Sequence, residues 1–155
     1  MRRSRNRPTF VLSLGLALLV VGAPVALATR TLGRPDLVET AVSSSVPSTM
    51  ENKPFRVHDR VVNRGLAAAK PSLTRYFIKR GGTRVPIGLR KVPRLAPGKS
   101  SAGTGEAIVP SGIPAGAYPL LACANSAGTI KESNTRNNCL TAAHKLKVTK
   151  PKPVL

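Results

Sequence analysis

Tryptophan is absent from the 155 residues, and phenylalanine and tyrosine occur only three times and twice. A chain so short of flat rings has little on which to stack unpaired bases, so nucleic acid is the least expected of its anionic partners. Acids are scarce as well: six Asp and Glu stand against 25 Lys and Arg, a formal net charge of +19. They are Asp36, Glu39, Glu51, Asp59, Glu106 and Glu132, and no two make the close motif that acid–base catalysis needs. The two histidines, His58 and His144, fall on different strand-like segments with no third ligand beside them, a poor basis for zinc. The sequence holds no P-loop, Gly-x-Ser-x-Gly, Cys-x-x-Cys or His-Glu-x-x-His. These absences remove the common routes to catalysis, and no enzyme activity, metal or cofactor is expected.

One long apolar run is present, and it lies at the start. Met1 to Arg7 carries four arginines and no acid, and Phe10 to Ala28 follows without a charge. Ala26-Leu27-Ala28 closes the run with the small-x-small pattern of a cleavage site. Residues 1–28 are therefore expected to be a signal peptide cut after Ala28. The alternative is a retained single-span anchor, since nineteen uncharged residues approach the length a bilayer requires. Cleavage would remove four of the 25 basic residues and no acid, leaving 21 against six, a formal +15. Residues 29–35 read as a linker and 149–155, "TKPKPVL", as a basic tail broken by proline. The stretch between them, residues 36–148, is the size of one domain.

No dozen residues of that domain keep a helical apolar spacing free of Pro or Gly. Short strand-like segments recur instead, at Asp36–Val42, Phe55–Val62, Leu73–Lys79, Val85–Val92, Gly105–Val109, Tyr118–Ala124 and Leu140–Val148. In the first, Leu37, Glu39 and Ala41 alternate with Val38, Thr40 and Val42; in the second, Phe55, Val57 and Val61 share one face and Arg56, His58, Arg60 and Val62 the other. In the last, Leu140, Ala142, His144, Leu146 and Val148 share a face. Seven strands in this length predict an all-β, immunoglobulin-like Greek-key sandwich.

The only cysteines, Cys123 and Cys139, bracket a polar stretch. A redox centre, a metal site or a staple would each use two cysteines, and export favours the staple. If the last two strands are antiparallel neighbours, pairing Cys123 with Cys139 sets Ala122 opposite Leu140 and Leu121 opposite Thr141, which is disulfide geometry. A buried pair of free thiols is the alternative.

Taken in order, these segments resemble the CARDB domain, the cell-adhesion-related bacterial module with an immunoglobulin-like sandwich. The resemblance runs from about Asp36 to Val148. Its most specific parts are Asn63-x-Gly65, Leu95-x-Pro97-Gly98, and "ESNTRNN" at Glu132 to Asn138. In that last run the family typically carries a second acid, where this chain has Thr135 and Arg136 before Asn137. Glu132, Asn134, Asn137 and Asn138 then have two readings: a weak oxygen site for a hard cation, or short side chains capping loop backbone. A single carboxylate between Lys131 and Arg136 favours capping.

The resemblance implies a secreted or envelope-associated, non-catalytic adhesion module. The basic charge adds anionic polysaccharide or cell-wall polymer to the expected partners. Another extracellular protein, joined by strand addition to a sheet edge, is the alternative.

Overall fold

The computed structural model describes residues 33–151; the expected leader, its cleavage point, most of the linker and the last residues of the tail lie outside them. Every regular element among the described residues is a strand: β1 Leu37–Ser44, β2 Ser48–Met50, β3 Pro54–Asn63, β4 Ser72–Arg80, β5 Thr83–Val92, β6 Ser100–Ile108, β7 Gly116–Tyr118, β8 Leu120–Cys123, β9 Cys139–Thr141 and β10 Leu146–Thr149. A seven-stranded array runs β1-β3-β6-β5-β4-β8-β9, and a three-stranded one runs β2-β10-β7. The large array is joined in its middle by a single pair, Gly88 opposite Ala107. Its first strand packs beside its last two, so the array folds over into the two layers of a sandwich. Gly88 allows that join, because a Cβ there would lie 2.2 Å from the Glu106 carbonyl oxygen.

All seven expected strands are present, with differences that have local causes. Pro119 has no N–H, so Tyr118–Ala124 is broken into β7 and β8; its carbonyl still accepts from Lys79 N–H at 2.9 Å. The expected strand Leu140–Val148 is likewise two. β9 pairs with β8, β10 pairs with β2 and β7, and Ala142–Lys145 makes the crossing between sheets. His144 sits in that crossing and is exposed, off the face it was expected to share with Leu146 and Val148. β10 also runs one residue further than expected, to Thr149. β6 begins five residues before the expected Gly105, at Ser100. Its small residues carry no apolar alternation, yet they are what the fold needs there. A Cβ on Gly105 would lie 2.5 Å from the Tyr76 ring, and one on Gly103 2.8 Å from the Arg90 side chain.

In β1 the expected alternation slips. Glu39 pairs with Val61 and Ala41 with Arg60, which leaves Thr40 as a bulge. Beyond it the faces exchange, so Val42 is buried and Ala41 exposed. β3 keeps its period throughout: Phe55, Val57, Asp59, Val61 and Asn63 point inward.

Asn63 is fully buried and ties four segments together. Its Oδ1 accepts from Asp36 N–H at 3.1 Å and Gly65 N–H at 3.0 Å, and its Nδ2 donates to the carbonyls of Ala67 at 2.8 Å and Leu95 at 3.0 Å. Gly65 does not take a positive φ. It is needed because a Cβ would fall 2.3 Å from the Arg34 carbonyl oxygen. Gly98, at φ 74°, does take the left-handed turn. Asn63→Ala strands these buried backbone groups and should lower stability by about 2 kcal/mol, read as a lower urea midpoint at unchanged slope.

Candidate functional site

Two apolar clusters fill the interior. The larger includes Phe55, Val57, Tyr76, Ile78, Leu120 and Leu146; the smaller comprises Leu37, Val61, Ala69, Val92, Leu95 and Ala124. Each buried Val, Leu, Ile or Phe among them stabilises by roughly 1.5–3 kcal/mol. Between the clusters, at inward positions of β1, β3, β5 and β4, lies a polar belt. Arg90 forks onto Asp59, with Nε to Oδ1 at 2.8 Å and Nη2 to Oδ2 at 2.5 Å. The Tyr76 hydroxyl donates to the same Asp59 Oδ1 at 2.5 Å, and Thr74 Oγ1 donates to Glu39 Oε1 at 2.7 Å. Arg90 also reaches the hydroxyl and carbonyl of Ser101, each at 3.2 Å. Glu39 Oε2 has no partner, and burial pushes the Glu39 carboxyl up to about 8. Burial and the hydrogen bond to Asp59 raise the Tyr76 phenol, and the bond to Asp59 raises the Arg90 guanidinium.

Sequence inspection missed this belt, because its members are scattered from Glu39 to Arg90. The signal was nonetheless there: Asp59 falls in phase with Val57 and Val61, and Glu39 with Leu37. Glu39, Asp59, Thr74 and Tyr76 are buried, and apart from Glu39 Oε2 the belt holds its own donors and acceptors, so it organises the interior.

Cys123 and Cys139 are joined, their Cα atoms 4.0 Å apart, in the register expected: Leu121 faces Thr141 and Ala122 faces Leu140. Leu120 and Ala122 take the core side, so the disulfide lies on the outer face of β8 and β9. Arg84 covers it, Nη1 lying 3.6 Å from Cys123 Sγ and 3.4 Å from Cys139 Sγ. Closing this loop stabilises by about 3 kcal/mol in the chain-entropy model. Reduction should lower the urea midpoint accordingly, and intact-mass analysis should find the oxidised chain lighter by two hydrogens.

The loop above the disulfide is arranged around Glu132, which is 6% exposed. Its Oε2 accepts from Leu37 N–H at 2.6 Å, and its Oε1 from Asn125 and Asn138 Nδ2, both at 2.7 Å. A carboxylate ringed by three N–H donors ties the loop to the start of β1. Asn137 Nδ2 donates to Asp36 Oδ1 at 2.9 Å. Asn134 is exposed, and its Oδ1 accepts from Arg136 N–H at 3.0 Å. Asn125, in the left-handed region at φ 45°, is a member the sequence reading passed over. Among the described residues no three His, Cys, Asp or Glu side chains gather as a metal site. His58 meets only the Thr104 hydroxyl, at 2.9 Å.

The remaining feature is the surface. Glu39, Asp59 and Glu132 are buried, and Lys150 lies 2.6 Å from Glu51, a contact that lowers the Glu51 carboxyl. Among the described residues the only ion pairs are that one and Arg90–Asp59, so the other lysines and arginines have no acid partner. A groove of about 410 Å³ also opens where β1 and β9 leave their sheets, lined by Val42–Pro47 and Ala142–Lys145.

No curated protein matches the chain. Among solved structures it is similar to the CARDB domain of a Pyrococcus furiosus protein, solved in complex with di-metal ions, at 22% identity over 75% of this chain and 90% of that one, with a TM-score of 0.52. A domain of a Methanosarcina acetivorans protein assigned to the cell surface matches at 19% identity over 73% and 92%, with a TM-score of 0.52. A β-glucosidase of Erythrobacter marinus shares the fold over 74% of this chain but 16% of its own, at 15% identity and a TM-score of 0.51. The CARDB family model matches residues 34–142, the stretch that holds the Asn63 junction, the polar belt and the stapled hairpin. The chain therefore belongs to the CARDB family of non-enzymatic, adhesion-related modules, whose domains occur in cell-surface proteins.

Proposed function

We propose that this protein is a non-catalytic binding module that works outside the cell and holds anionic envelope or matrix polymers through surface charge. The observation that carries the reading is the placement of its few acids. Three of six are interior, so the surface is more positive than the formal charge, and such a field draws polyanions of any sequence or repeat. Mixing the full chain with envelope from the producing cell and sedimenting it tests the reading. The protein should pellet at low salt and be released at about 1 M salt, where charges are screened beyond ~3 Å. Failure to pellet at low salt would remove the proposal.

A second reading, an extended segment of a partner protein added at a sheet edge, is favoured by the groove between Val42–Pro47 and Ala142–Lys145. Backbone pairing of that kind is insensitive to salt, so retention unchanged at high salt would select it.

A further inference from the structure

We infer that the polyanion is met by one face of the sandwich, the outer side of β5, β4, β8 and β9, and that its chemistry is that of a linear acidic glycan. This rests on the reading just given and adds where the polymer lies and what it is.

The face follows from register. On β4 the residues whose neighbours fill the core are Ser72, Thr74, Tyr76 and Ile78, so Leu73, Arg75, Phe77 and Lys79 point outward. β5 sets Lys91 opposite Leu73, Leu89 opposite Arg75 and Arg84 opposite Lys79. Four cations, Arg75, Lys79, Arg84 and Lys91, thus share one sheet face, and none of the six acids belongs to β4, β5, β8 or β9. The other sheet is less suited. Its outward Arg56 stands opposite Glu106, and Arg60 is already bonded to the Ser100 hydroxyl at 3.0 Å.

The apolar residues between the cations decide the chemistry. Leu89 is 44% exposed, and Phe77 is half-buried beside it. Sugar rings present flat C–H faces to such groups, while their carboxylates match the forked donors of arginine. A polyphosphate has the charge without the rings. The surface is also held rigid, since Arg75 is paired with Cys123 and Cys123 is bonded to Cys139; a rigid face loses little entropy on binding. At its end a cavity of about 330 Å³, lined by Phe77, Arg84, Thr135 and Asn138 among others, has room for a ring substituent.

The test titrates the full chain with polygalacturonate and with polyphosphate at low salt. Arg75→Glu with Lys79→Glu and Arg56→Glu with Arg60→Glu change the net charge equally but on opposite faces. The first should weaken polygalacturonate binding about tenfold or more, the second less than about threefold. Arg75→Gln with Lys79→Gln, which disturbs the fold less, should weaken it about threefold. Leu89→Ser should weaken polygalacturonate about threefold and leave polyphosphate unchanged. Equal losses from both charge-reversed faces, or a larger loss from the Arg56 face, would overturn the assignment while leaving polyanion binding intact. A Leu89→Ser effect shared by polyphosphate, or none on either, would overturn the glycan. No binding of the unaltered chain to either polymer would remove this inference and the proposed function together.

Discussion

Asp59→Ala should be the most damaging single change in the domain, lowering stability by about 3–5 kcal/mol. Asp59 is 4% exposed and is the acid that Arg90 and the Tyr76 hydroxyl share. Its removal leaves a guanidinium and a phenol between two apolar clusters with no acceptor in Asp59's place, and a buried uncompensated charge is worse than a missing pair. The distinction can be measured. Asp59→Leu with Arg90→Met removes both partners, fills similar volume and should recover most of the loss, except for what the Tyr76 hydroxyl still lacks. Urea unfolding of the three variants checks this, with midpoints compared at constant slope. A single variant within about 1 kcal/mol of the unaltered protein would mean that water reaches the belt and that it does not separate two cores.

Stability should also fall as pH rises, against the usual behaviour of carboxylates. Burial is the main cause that lifts Glu39 to about 8; nearby Asp59 raises it further, and the Thr74 bond and Arg90 pull it down. Between 4.5, its ordinary value, and about 8, the folded chain holds a proton that the unfolded chain has released. The stabilisation is complete below 4.5 and is lost progressively up to about 8, at about 1.4 kcal/mol per pH unit. Glu39→Gln keeps an acceptor for Thr74 and never ionises, so its stability should lack this fall over the same window and exceed the parent's at pH 9. Urea midpoints of both proteins at pH 5, 7 and 9 isolate the contribution, because every other titrating group is common to the two. Parallel profiles would show that Glu39 ionises as freely folded as unfolded.

Much of this was legible in the sequence, and the parts that were not have physical reasons. β3 could be read because its period of two is unbroken from Phe55 to Asn63. The register at Cys123 and Cys139 follows from the same rule. β1 was misread beyond Thr40 because a bulge shifts phase without a marker in residue type. Half of β6 was invisible because its glycines are selected by what lies against them, the Tyr76 ring and the Arg90 side chain, and that is tertiary information. The sheet crossing at Ala142–Lys145 escaped notice for the converse reason: Leu140, Ala142, Leu146 and Val148 do all pack on the core, but they do so from two different sheets. Glu132 was expected to cap its own loop, but only the structure shows its donors, which come from Leu37, Asn125 and Asn138, the first of them far away in the chain. Burying acids has a functional consequence as well. Structural demands at Glu39 and Glu132 withdraw negative charge from the surface, Asp59 takes only Arg90 inside with it, and most cations outside are left without an acid partner.

That unopposed charge is the basis of the proposed activity, and its most direct test is the salt dependence of a defined equilibrium. Polygalacturonate binding to the full chain should weaken steadily between about 50 mM and 500 mM sodium chloride, by about tenfold or more, as the screening length shortens. Binding that is equally tight across that range would contradict charge-driven recognition and point instead to contacts made by backbone or apolar surface.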